Sequence, residues 1–285
     1  MTAPRSSRDA VFAPGKLNLF LHVLGRRPNG LHRLHSLFAF LNIGDRLTFM
    51  PATDVDLTMT PDGGLSRDDN LAWRALSAVR AVDPQLSPVS VHIDKTLPAE
   101  AGLGGGTADA AAVVHWAEGQ NPAASPAFRA ACAGLGADMP PAMDQRARLW
   151  GGTGDEAGEL VVGLGGTPVL LLKPSTGVST GACFAALNGQ FSASEAAFDL
   201  AARGGLVPAL QSCGNDLQAA ACSLNPDIAR ALTALEKAEG AWLVRMTGSG
   251  STCFALFHEK GPRDAALSQV QQQFPTWWSA AAEIL

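Results

Sequence analysis

The segment of this chain with the clearest chemical character has four glycines within five positions: Gly102, Gly104, Gly105 and Gly106. A glycine has no side chain, so its backbone N–H group can come close to an anion. Small residues suited to a helix follow at once, at positions 107–111. Because the N-terminal end of a helix favours negative charge, the sequence predicts a phosphate-binding turn that leads into a helix.

Two common phosphate-binding patterns fit this segment poorly. A P-loop needs Gly-x-x-x-x-Gly-Lys-Ser/Thr, but the Gly15-Lys16 pair is followed by Leu17. A dinucleotide fingerprint needs a small residue where Thr107 stands, and an acidic residue about 20 positions further on. Glu118 comes too early for that role.

A third pattern fits better, namely Pro-x-x-x-Gly-Leu-Gly-Gly-Gly-Ser/Thr at the start of a helix, which matches Pro98 through Thr107. A flexible glycine hinge is the alternative interpretation. Lys95 just upstream and Thr107 at the helix start weaken that alternative, because both side chains suit phosphate oxygens.

Alternating strands and helices are predicted to position this loop. Apolar patterns predict strands at residues 11–24, 37–41, 46–49, 56–60, 89–93, 169–172, 243–246 and 252–257, with Gly44-Asp45 breaking the run between the second and third. Helical spacing predicts helices after Asn70 and at residues 107–118, 128–135, 224–239 and 265–274. We therefore expect an α+β protein of two domains, residues 1–160 and 161–285.

The composition excludes several classes of protein. The chain has 285 residues, 47% of them hydrophobic, and a net charge of −5, so neither bulk nucleic-acid binding nor an acidic membrane surface is indicated. No apolar run approaches the roughly 20 residues of a membrane span, and residues 1–10 resemble neither a secretory signal nor a clear transit peptide. Five cysteines without zinc spacing predict reduced thiols in a cytoplasmic protein.

Three segments, taken in order, resemble the GHMP kinases (galactokinase, homoserine, mevalonate and phosphomevalonate kinases). They are residues 13–19 (APGKLNL), 97–111 (LPAEAGLGGGTADAA) and 247–254 (TGSGSTCF). The resemblance implies a two-domain fold: an N-terminal domain with a left-handed βαβ crossover and a C-terminal ferredoxin-like domain, with the active site in a cleft between them. It also implies transfer of a phosphoryl group from ATP to an alcohol.

Further segments point to the branch of the family that phosphorylates the 2-hydroxyl of a cytidine-diphosphate-linked methylerythritol, in isoprenoid precursor synthesis. These segments are residues 28–32 (PNGLH), 70–71 (NL), 135–140 (LGADMP), 154–156 (GDE) and 215–217 (NDL). Another GHMP kinase, of the homoserine or mevalonate type, and a catalytically silent relative are the alternatives.

By this resemblance, two residues carry the chemistry. Asp138 is the general base that takes the proton of the substrate hydroxyl, and Lys16 is the cation that orients Asp138 and polarises the hydroxyl. From the sequence alone, the alternative interpretation of Asp138 is a helix-capping residue. The alternative for Lys16 is a strand residue that faces solvent.

The family also places the nucleotide. The expected ATP-binding residues are Asn70, Lys95, Pro98, Ala99, Glu100, Ala101, Gly102, Leu103, Gly104, Gly105, Gly106, Thr107 and Ala108. For Asn70 a helix cap, and for Lys95 a surface charge, are the alternatives. No acidic cluster predicts a metal cage, so Mg²⁺ is expected to be held mainly by the nucleotide phosphates and water.

The expected substrate-binding residues are Asn18, Leu31, His32, Val178, Ser179 and Thr180. His32 stands where the family has a histidine that reads the cytosine ring, with a turn histidine as the alternative. Leu31 replaces a Tyr that usually stacks on that ring, which forfeits about 1 kcal/mol of aromatic interaction. Pro141 stands where an aromatic residue commonly follows Asp-x-Pro.

A final set of expectations concerns closure and partners. The turn at Gly248, Ser249 and Gly250 is expected to close the phosphate site from the second domain, with a plain hairpin turn as the alternative. The expected partner is a small molecule, with no nucleic acid and no membrane, and the chain is expected to be a monomer or a weak homodimer.

Overall fold

The computed structural model describes residues 9–61, 64, 66–192 and 203–285 of the chain. The strands in these ranges are β1 (Asp9–Arg26), β2 (His32–Pro51), β3 (Asp56–Thr60), β4 (Val89–Asp94), β5 (Arg148–Gly151), β6 (Glu156–Leu160), β7 (Pro168–Lys173), β8 (Ala241–Met246), β9 (Cys253–Phe257) and β10 (Trp278–Glu283). The α-helices are α1 (Leu71–Val82), α2 (Gly105–Gln120), α3 (Ser125–Cys132), α4 (Met139–Asp144), α5 (Thr180–Ala186), α6 (Leu206–Ser212), α7 (Gln218–Leu224), α8 (Pro226–Glu236) and α9 (Lys260–Gln273).

One predicted boundary is wrong. The expected break at Gly44-Asp45 does not occur, and β2 runs without interruption from His32 to Pro51. A glycine stands at position 44 because the backbone of another strand passes very close to it. A Cβ at Gly44 would lie 2.2 Å from the carbonyl oxygen of Ala13 on β1, so this glycine permits the pairing of two strands and does not interrupt one.

The contacts divide the chain into two compact units that interleave along the sequence. Unit 1 comprises the described residues of Met1–Gly15, Ile43–Leu97 and Gly104–Gln145, and unit 2 those of Lys16–Asn42, Pro98–Leu103 and Arg146–Leu285. The glycine loop is therefore divided between the units, after Leu103. The single domain boundary at residue 160 stays a prediction.

In unit 1, helices pack on paired strands that belong to a six-stranded sheet. β3 is parallel to β4, and β4 is antiparallel to the second part of β2. Alanines and valines of α2 are buried along most of its length, and Trp116 stacks on Phe49 of β2 with ring centroids 4.7 Å apart. α1 connects β3 to the parallel β4 as a crossover, as the resemblance implies, and the handedness of that crossover stays a prediction.

Unit 2 contains a four-stranded antiparallel sheet in the order β10-β7-β9-β8. Helices lie between β7 and β8 and between β9 and β10, which makes a βαββαβ chain with the spatial order 4-1-3-2. This is the ferredoxin-like arrangement that the resemblance implies. Every residue of β7 is buried, as its run of Val169 to Leu172 predicts.

The short elements β5, β6, α4 and β10 escaped the sequence analysis, and the reasons are clear for two of them. α4 has six residues, with Pro140 and Pro141 in its first turn, so it is too short to show a helical period. β10 reads Trp-Ser-Ala-Ala-Ala-Glu, and alanine is a poor strand former. Its pairing with β7, not its own composition, makes it a strand.

Within the described ranges, every helix is too short or too polar to cross a bilayer. The expectation about a leader segment was based on residues 1–10, including Arg5 and Arg8. Residues 1–8 lie outside the described residues.

Candidate active site

Lys16 lies on β1 and is buried, with 8% of its surface exposed. Its Nζ donates a 2.5 Å hydrogen bond to Oδ1 of Asn18 and lies 5.2 Å from the ring centroid of Phe38. An amide oxygen orients an ammonium group without cancelling its charge. The interpretation of Lys16 as a strand residue facing solvent is therefore wrong.

Asn18 is held from three directions. Its Nδ2 donates to Oγ of Ser36 at 2.8 Å, and that hydroxyl in turn donates to the carbonyl oxygen of Phe20 at 2.5 Å. Its backbone N–H donates to Oγ1 of Thr247 at 2.9 Å. These contacts fix the plane of the Asn18 amide, and through Oδ1 they fix the position of the Lys16 ammonium.

The first half of the glycine loop, residues 98–103, is fastened to β1 and to the turn at residues 247–252. The backbone N–H of Lys16 donates to the carbonyl of Leu103 at 2.9 Å, and that of Thr252 to the carbonyl of Ala101 at 3.2 Å. Gly102 has a φ of +72°, and a Cβ there would lie 2.7 Å from the carbonyl oxygen of Thr247. Only glycine fits this position.

The turn itself comes close to Lys16. A Cβ on Gly248 would lie 3.2 Å from Nζ of Lys16 and 3.4 Å from Oδ1 of Asn18. The turn is closed by a hydrogen bond from the N–H of Thr247 to the carbonyl of Thr252 at 3.0 Å. Unit 2 thus brings together parts of all three segments on which the family resemblance rests.

The second half of the loop starts α2 in unit 1. Gly104 is the N-cap residue with a φ of +70°, and no side chain caps the helix N-terminus. A Cβ on Gly105 would meet its nearest atoms at 3.4–3.5 Å, and one on Gly106 would meet only Leu71, at 3.9 Å. Neither Gly105 nor Gly106 has a positive φ. The described protein atoms therefore do not require glycine at these two positions.

A buried ionic cluster lies beside this half of the loop. Nζ of Lys95 lies 2.5 Å from Oδ2 of Asp45 and 2.7 Å from Oδ2 of Asp109. Oδ1 of Asp45 accepts hydrogen bonds from the backbone N–H groups of Thr96 at 2.6 Å and Leu97 at 2.8 Å. We call Asp45, Lys95 and Asp109 the loop cluster, since it ties the entry of the loop to the second turn of α2.

Burial and neighbouring charges shift the pKa values of Asp109 and Lys95 in this cluster. Burial raises the pKa of Asp109 to about 7, against the opposing effect of the Lys95 ammonium. Burial alone would lower the pKa of Lys95, but Asp109 and Asp45 outweigh it and hold that pKa above its ordinary value. Oδ1 of Asp109 is buried and has no hydrogen-bond partner among the described residues.

Asn70 and Lys95, two of the expected ATP-binding residues, make structural contacts. Oδ1 of Asn70 caps α1 by accepting from the N–H groups of Ala72 at 2.9 Å and Trp73 at 3.3 Å. Lys95 is held in the loop cluster and is not an exposed surface charge. Their contacts with ATP stay predictions.

Asp138 occupies the N-cap position of α4, but its side chain makes no capping hydrogen bond to that helix. The helix-cap interpretation therefore does not describe its carboxylate. Two residues earlier, a Cβ on Gly136 would lie 3.9 Å from Oγ1 of Thr107, so the turn before Asp138 passes beside the first turn of α2. Pro141 is itself buried in α4, in place of the expected aromatic residue.

His32 lies in an aromatic setting in unit 2. Its ring stacks on Phe184 with centroids 4.6 Å apart and an angle of 21°, and it meets the edge of Phe191 at 6.1 Å. Burial, and then the charge of Arg26, lower the pKa of His32. Leu31 is 53% exposed.

The expected opposite wall of the substrate pocket contacts the turn. Ser179 is the N-cap residue of α5, and the hydroxyl groups of Thr180 and Ser249 lie 2.8 Å apart. A Cβ on Gly250 would lie 3.4 Å from Cγ2 of Val178. Residues 178–180 therefore pack against Ser249 and Gly250, within unit 2.

Sequence reasoning missed several residues of this site. Asp45 and Asp109 could have been recognised from the sequence, since each is an acidic residue within an apolar run, and such a run is expected to be buried. Ser36 and Thr247, by contrast, are small hydroxyl residues of ordinary type. Phe184 stands in one of the helical stretches that the sequence predicts after the loop at residues 174–177, but nothing in its type marks it as a neighbour of His32.

Two family models match the chain. The model described as "GHMP kinases N terminal domain" matches residues 70–152, and the one described as "GHMP kinases C terminal" matches residues 197–276.

Relatives match over nearly the whole length. The chain is similar to the 4-diphosphocytidyl-2-C-methyl-D-erythritol kinase of Methylorubrum extorquens, with 38% identity over 93% of this chain and 95% of that protein. The enzyme of the same name from Paracoccus denitrificans is 39% identical, over 98% of this chain and 97% of its own.

Solved structures agree with these relatives. A crystal structure of a 4-(cytidine 5'-diphospho)-2C-methyl-D-erythritol kinase superposes with a TM-score of 0.79 at 29% identity, and covers 96% of this chain and 99% of its own. A homoserine kinase from Cytophaga hutchinsonii has a TM-score of 0.74 at 18% identity, covering 99% and 96% of the two chains, and shares the fold.

Proposed function

The chain belongs to the 4-diphosphocytidyl-2-C-methyl-D-erythritol kinase family of the GHMP kinases, which are ATP-dependent small-molecule phosphotransferases, and we propose how its residues serve that reaction. The proposed substrate is 4-diphosphocytidyl-2-C-methyl-D-erythritol, phosphorylated on its 2-hydroxyl. The family resemblance stated from the sequence is thereby confirmed, and so is the mixed helix-and-sheet fold of two domains.

One observation carries the placement of ATP. α2 begins without a side-chain cap, and its first two residues, Gly105 and Gly106, have no described protein contact that requires glycine. Space next to uncapped N–H groups at a helix N-terminus is what a phosphate group needs. We assign the β- and γ-phosphates of ATP to this space, with residues 98–104 forming the rest of the cradle.

The proposed chemistry follows from Lys16 and Asp138. By the family resemblance, Asp138, at the N-terminus of α4, accepts the proton of the substrate hydroxyl as the phosphoryl group is transferred. Lys16, whose Nζ is oriented by Oδ1 of Asn18, is proposed to bring a positive charge to the hydroxyl and the phosphate. Positioning and charge stabilisation account for most of the catalysis in phosphoryl transfer.

Mg²⁺ is proposed to arrive with the nucleotide. Among the described residues no group of three or more His, Cys, Asp or Glu side chains could hold a metal ion, and the carboxylates of Asp45 and Asp109, beside the second half of the loop, already bind Lys95. This donor set fits a metal carried by the ATP phosphates and water. When bound, Mg²⁺ neutralises part of the phosphate charge.

The cytosine base of the substrate is assigned to the surroundings of His32, and Asn18 is proposed as a contact of the erythritol hydroxyls. His32 is neutral at pH 7 because burial and Arg26 lower its pKa, so it can both donate and accept a hydrogen bond. Leu31, Val178, Ser179 and Thr180 are proposed as the adjoining walls, with the turn at residues 248–250 closing on the phosphates.

The cellular setting is proposed from the cysteines. All five thiols are free, and Cys132, Cys183, Cys213 and Cys253 are buried. Free thiols fit a reducing cytoplasm. A monomer or a weak homodimer is the proposed state in solution.

The test is ADP release from Mg-ATP with 4-diphosphocytidyl-2-C-methyl-D-erythritol, compared with mevalonate and homoserine under the same conditions. Turnover with the first acceptor alone is the expected result. Turnover with mevalonate or homoserine would reject the role given to His32, and bound ATP without turnover would indicate a catalytically silent relative.

A further inference from the structure

Asn215 uses its side chain to bind two carbonyl groups at once. It is buried just before α7, and its Nδ2 donates to the carbonyl of Met246 at 2.7 Å and to that of Gly248 at 2.8 Å. Its Oδ1 accepts from the N–H of Leu217 at 3.0 Å. Because both amide hydrogens face carbonyl oxygens, an aspartate or a leucine could not replace this residue.

The two carbonyls that it binds flank one residue, Thr247, at the junction between β8 and the turn. The turn's own bonds join Thr247 to Thr252 and Gly250 to Thr247, at 3.0 Å each. Asn215 supplies donors from a separate segment, so it fixes where the turn stands as well as its internal shape. A buried carbonyl that loses its donor costs free energy, and the turn would have to move to regain one.

The same turn also lies close to Lys16. Thr247 accepts the hydrogen bond from the N–H of Asn18, and Gly248 comes near Nζ of Lys16. The segment around Asn215 also pairs with β1 itself. Leu21 donates to the carbonyl of Gly214 at 3.0 Å and accepts from the N–H of Asp216 at 2.9 Å.

We propose that Asn215 is a positioning residue for phosphoryl transfer, which sets the distance between the turn at residues 247–252 and the Lys16 ammonium. It acts through the backbone of Met246 and Gly248 and makes no contact with ATP or the acceptor. This inference rests on the proposed function, because it assigns Lys16 to the transfer step.

The chain offers a closely matched control in Asn225. This asparagine is as buried as Asn215, its Nδ2 donates to the carbonyl and the hydroxyl of Thr176, both at 3.1 Å, and its Oδ1 accepts from the N–H of Asp227 at 3.1 Å. Asn215→Ala and Asn225→Ala therefore delete the same group, with the same number of hydrogen bonds, at equal burial.

The experiment measures kcat and KM of the two variants, their urea midpoints, and the amide hydrogen exchange of residues 247–252. Both variants should lose similar stability, and Asn225→Ala should keep kcat within about threefold. Asn215→Ala should lower kcat at least about tenfold with little change in either KM, since a misplacement of about 1 Å can cost about 10²-fold in rate. Exchange in the turn should rise about tenfold or more in Asn215→Ala alone.

Two results would overturn the inference: equal losses of kcat in the two variants, or unchanged exchange in the turn of Asn215→Ala. If Asn215→Ala does not fold, Asn215→Ser, which keeps one donor, takes its place with the same criteria. If the native chain shows no turnover, the proposed function fails. The exchange comparison then decides by itself whether Asn215 holds the turn.

Discussion

The two halves of the glycine loop are held by different forces. Residues 98–103 are fastened by backbone hydrogen bonds and by close packing of Gly102 on the turn at residues 247–252. Residues 104–107 stand beside the loop cluster, where the Lys95 ammonium lies between two carboxylates. In the first half Gly102 has no room for a side chain, whereas in the second half Gly105 and Gly106 have room that the protein does not fill.

This difference separates a glycine that the fold requires from two glycines that we propose serve a ligand. Gly102 is explained by its positive φ and by the carbonyl oxygens around it. Gly105 and Gly106 stand in a helix, where glycine costs stability relative to alanine. We attribute their presence to the phosphate groups that the uncapped helix N-terminus is proposed to bind.

The largest effect on stability is expected at the loop cluster. Lys95→Met leaves two carboxylates buried together, so the free energy of unfolding should fall by about 3 kcal/mol. Urea denaturation measures this. The control is Lys260→Met, which removes an exposed ion pair with Glu283 and should cost less than about 1 kcal/mol. Equal losses in the two variants would mean that the cluster does not hold this half of the loop.

Gly102→Ala tests the packed half of the loop. An added Cβ would meet two backbone oxygens, those of Thr247 and Gly250, at 2.7 and 2.8 Å. The free energy of unfolding should fall by about 2 kcal/mol, and turnover should fall at least about 100-fold as the loop shifts. If Gly102→Ala keeps both native stability and native kcat, then Gly102 is packed less tightly against the turn than the structure shows.

Asp109→Asn tests the protonation of the cluster. The carboxyl has a pKa of 3.8 when unfolded and about 7 when folded, so the folded chain binds more protons between these values. This group therefore makes the native chain lose stability as the pH rises from about 4 to 7, by at most about 1.4 kcal/mol per pH unit. The variant should lack that slope in urea titrations at successive pH values. Parallel profiles for native chain and variant would reject the burial effect assigned to Asp109.

Gly106→Ala should have the smallest effect on stability, and one of opposite sign. The new Cβ meets no protein atom closer than 3.9 Å, so helix propensity should raise the free energy of unfolding by about 0.5 kcal/mol. ATP affinity should fall at least about tenfold in a calorimetric titration, because the Cβ fills the phosphate space. Gly119→Ala, at the other end of α2 with open space around it, should give the same stabilisation with native ATP affinity. If Gly106→Ala binds ATP as the native chain does, Gly106 does not serve the ligand.

Much of this arrangement could be predicted from the sequence because it depends on local signals. The capped start of α1 at Asn70, the glycine loop with its helix, and the buried strand β7 each carry their pattern within a few residues. The loop cluster could not be predicted, since Asp45, Lys95 and Asp109 are separated by 50 and 14 positions and meet only through the fold.

The position of the turn at residues 247–252 could not be predicted from the sequence either. Its composition predicts a tight turn, but its position depends on Asn18, Gly102 and Asn215, which come from three distant segments. The apparent break at Gly44 misled for a related reason, because the carbonyl that requires a glycine there belongs to another strand.

The central claim is that Asp138 takes the proton of the acceptor while the glycine loop holds ATP. The most direct test is Asp138→Asn, assayed by ADP release with 4-diphosphocytidyl-2-C-methyl-D-erythritol and by calorimetric titration with Mg-ATP. The control is Asp227→Asn, on α8. We expect kcat to fall about 10²- to 10⁴-fold in Asp138→Asn with the ATP dissociation constant within about twofold of the native value. A kcat near that of the native chain would contradict the account.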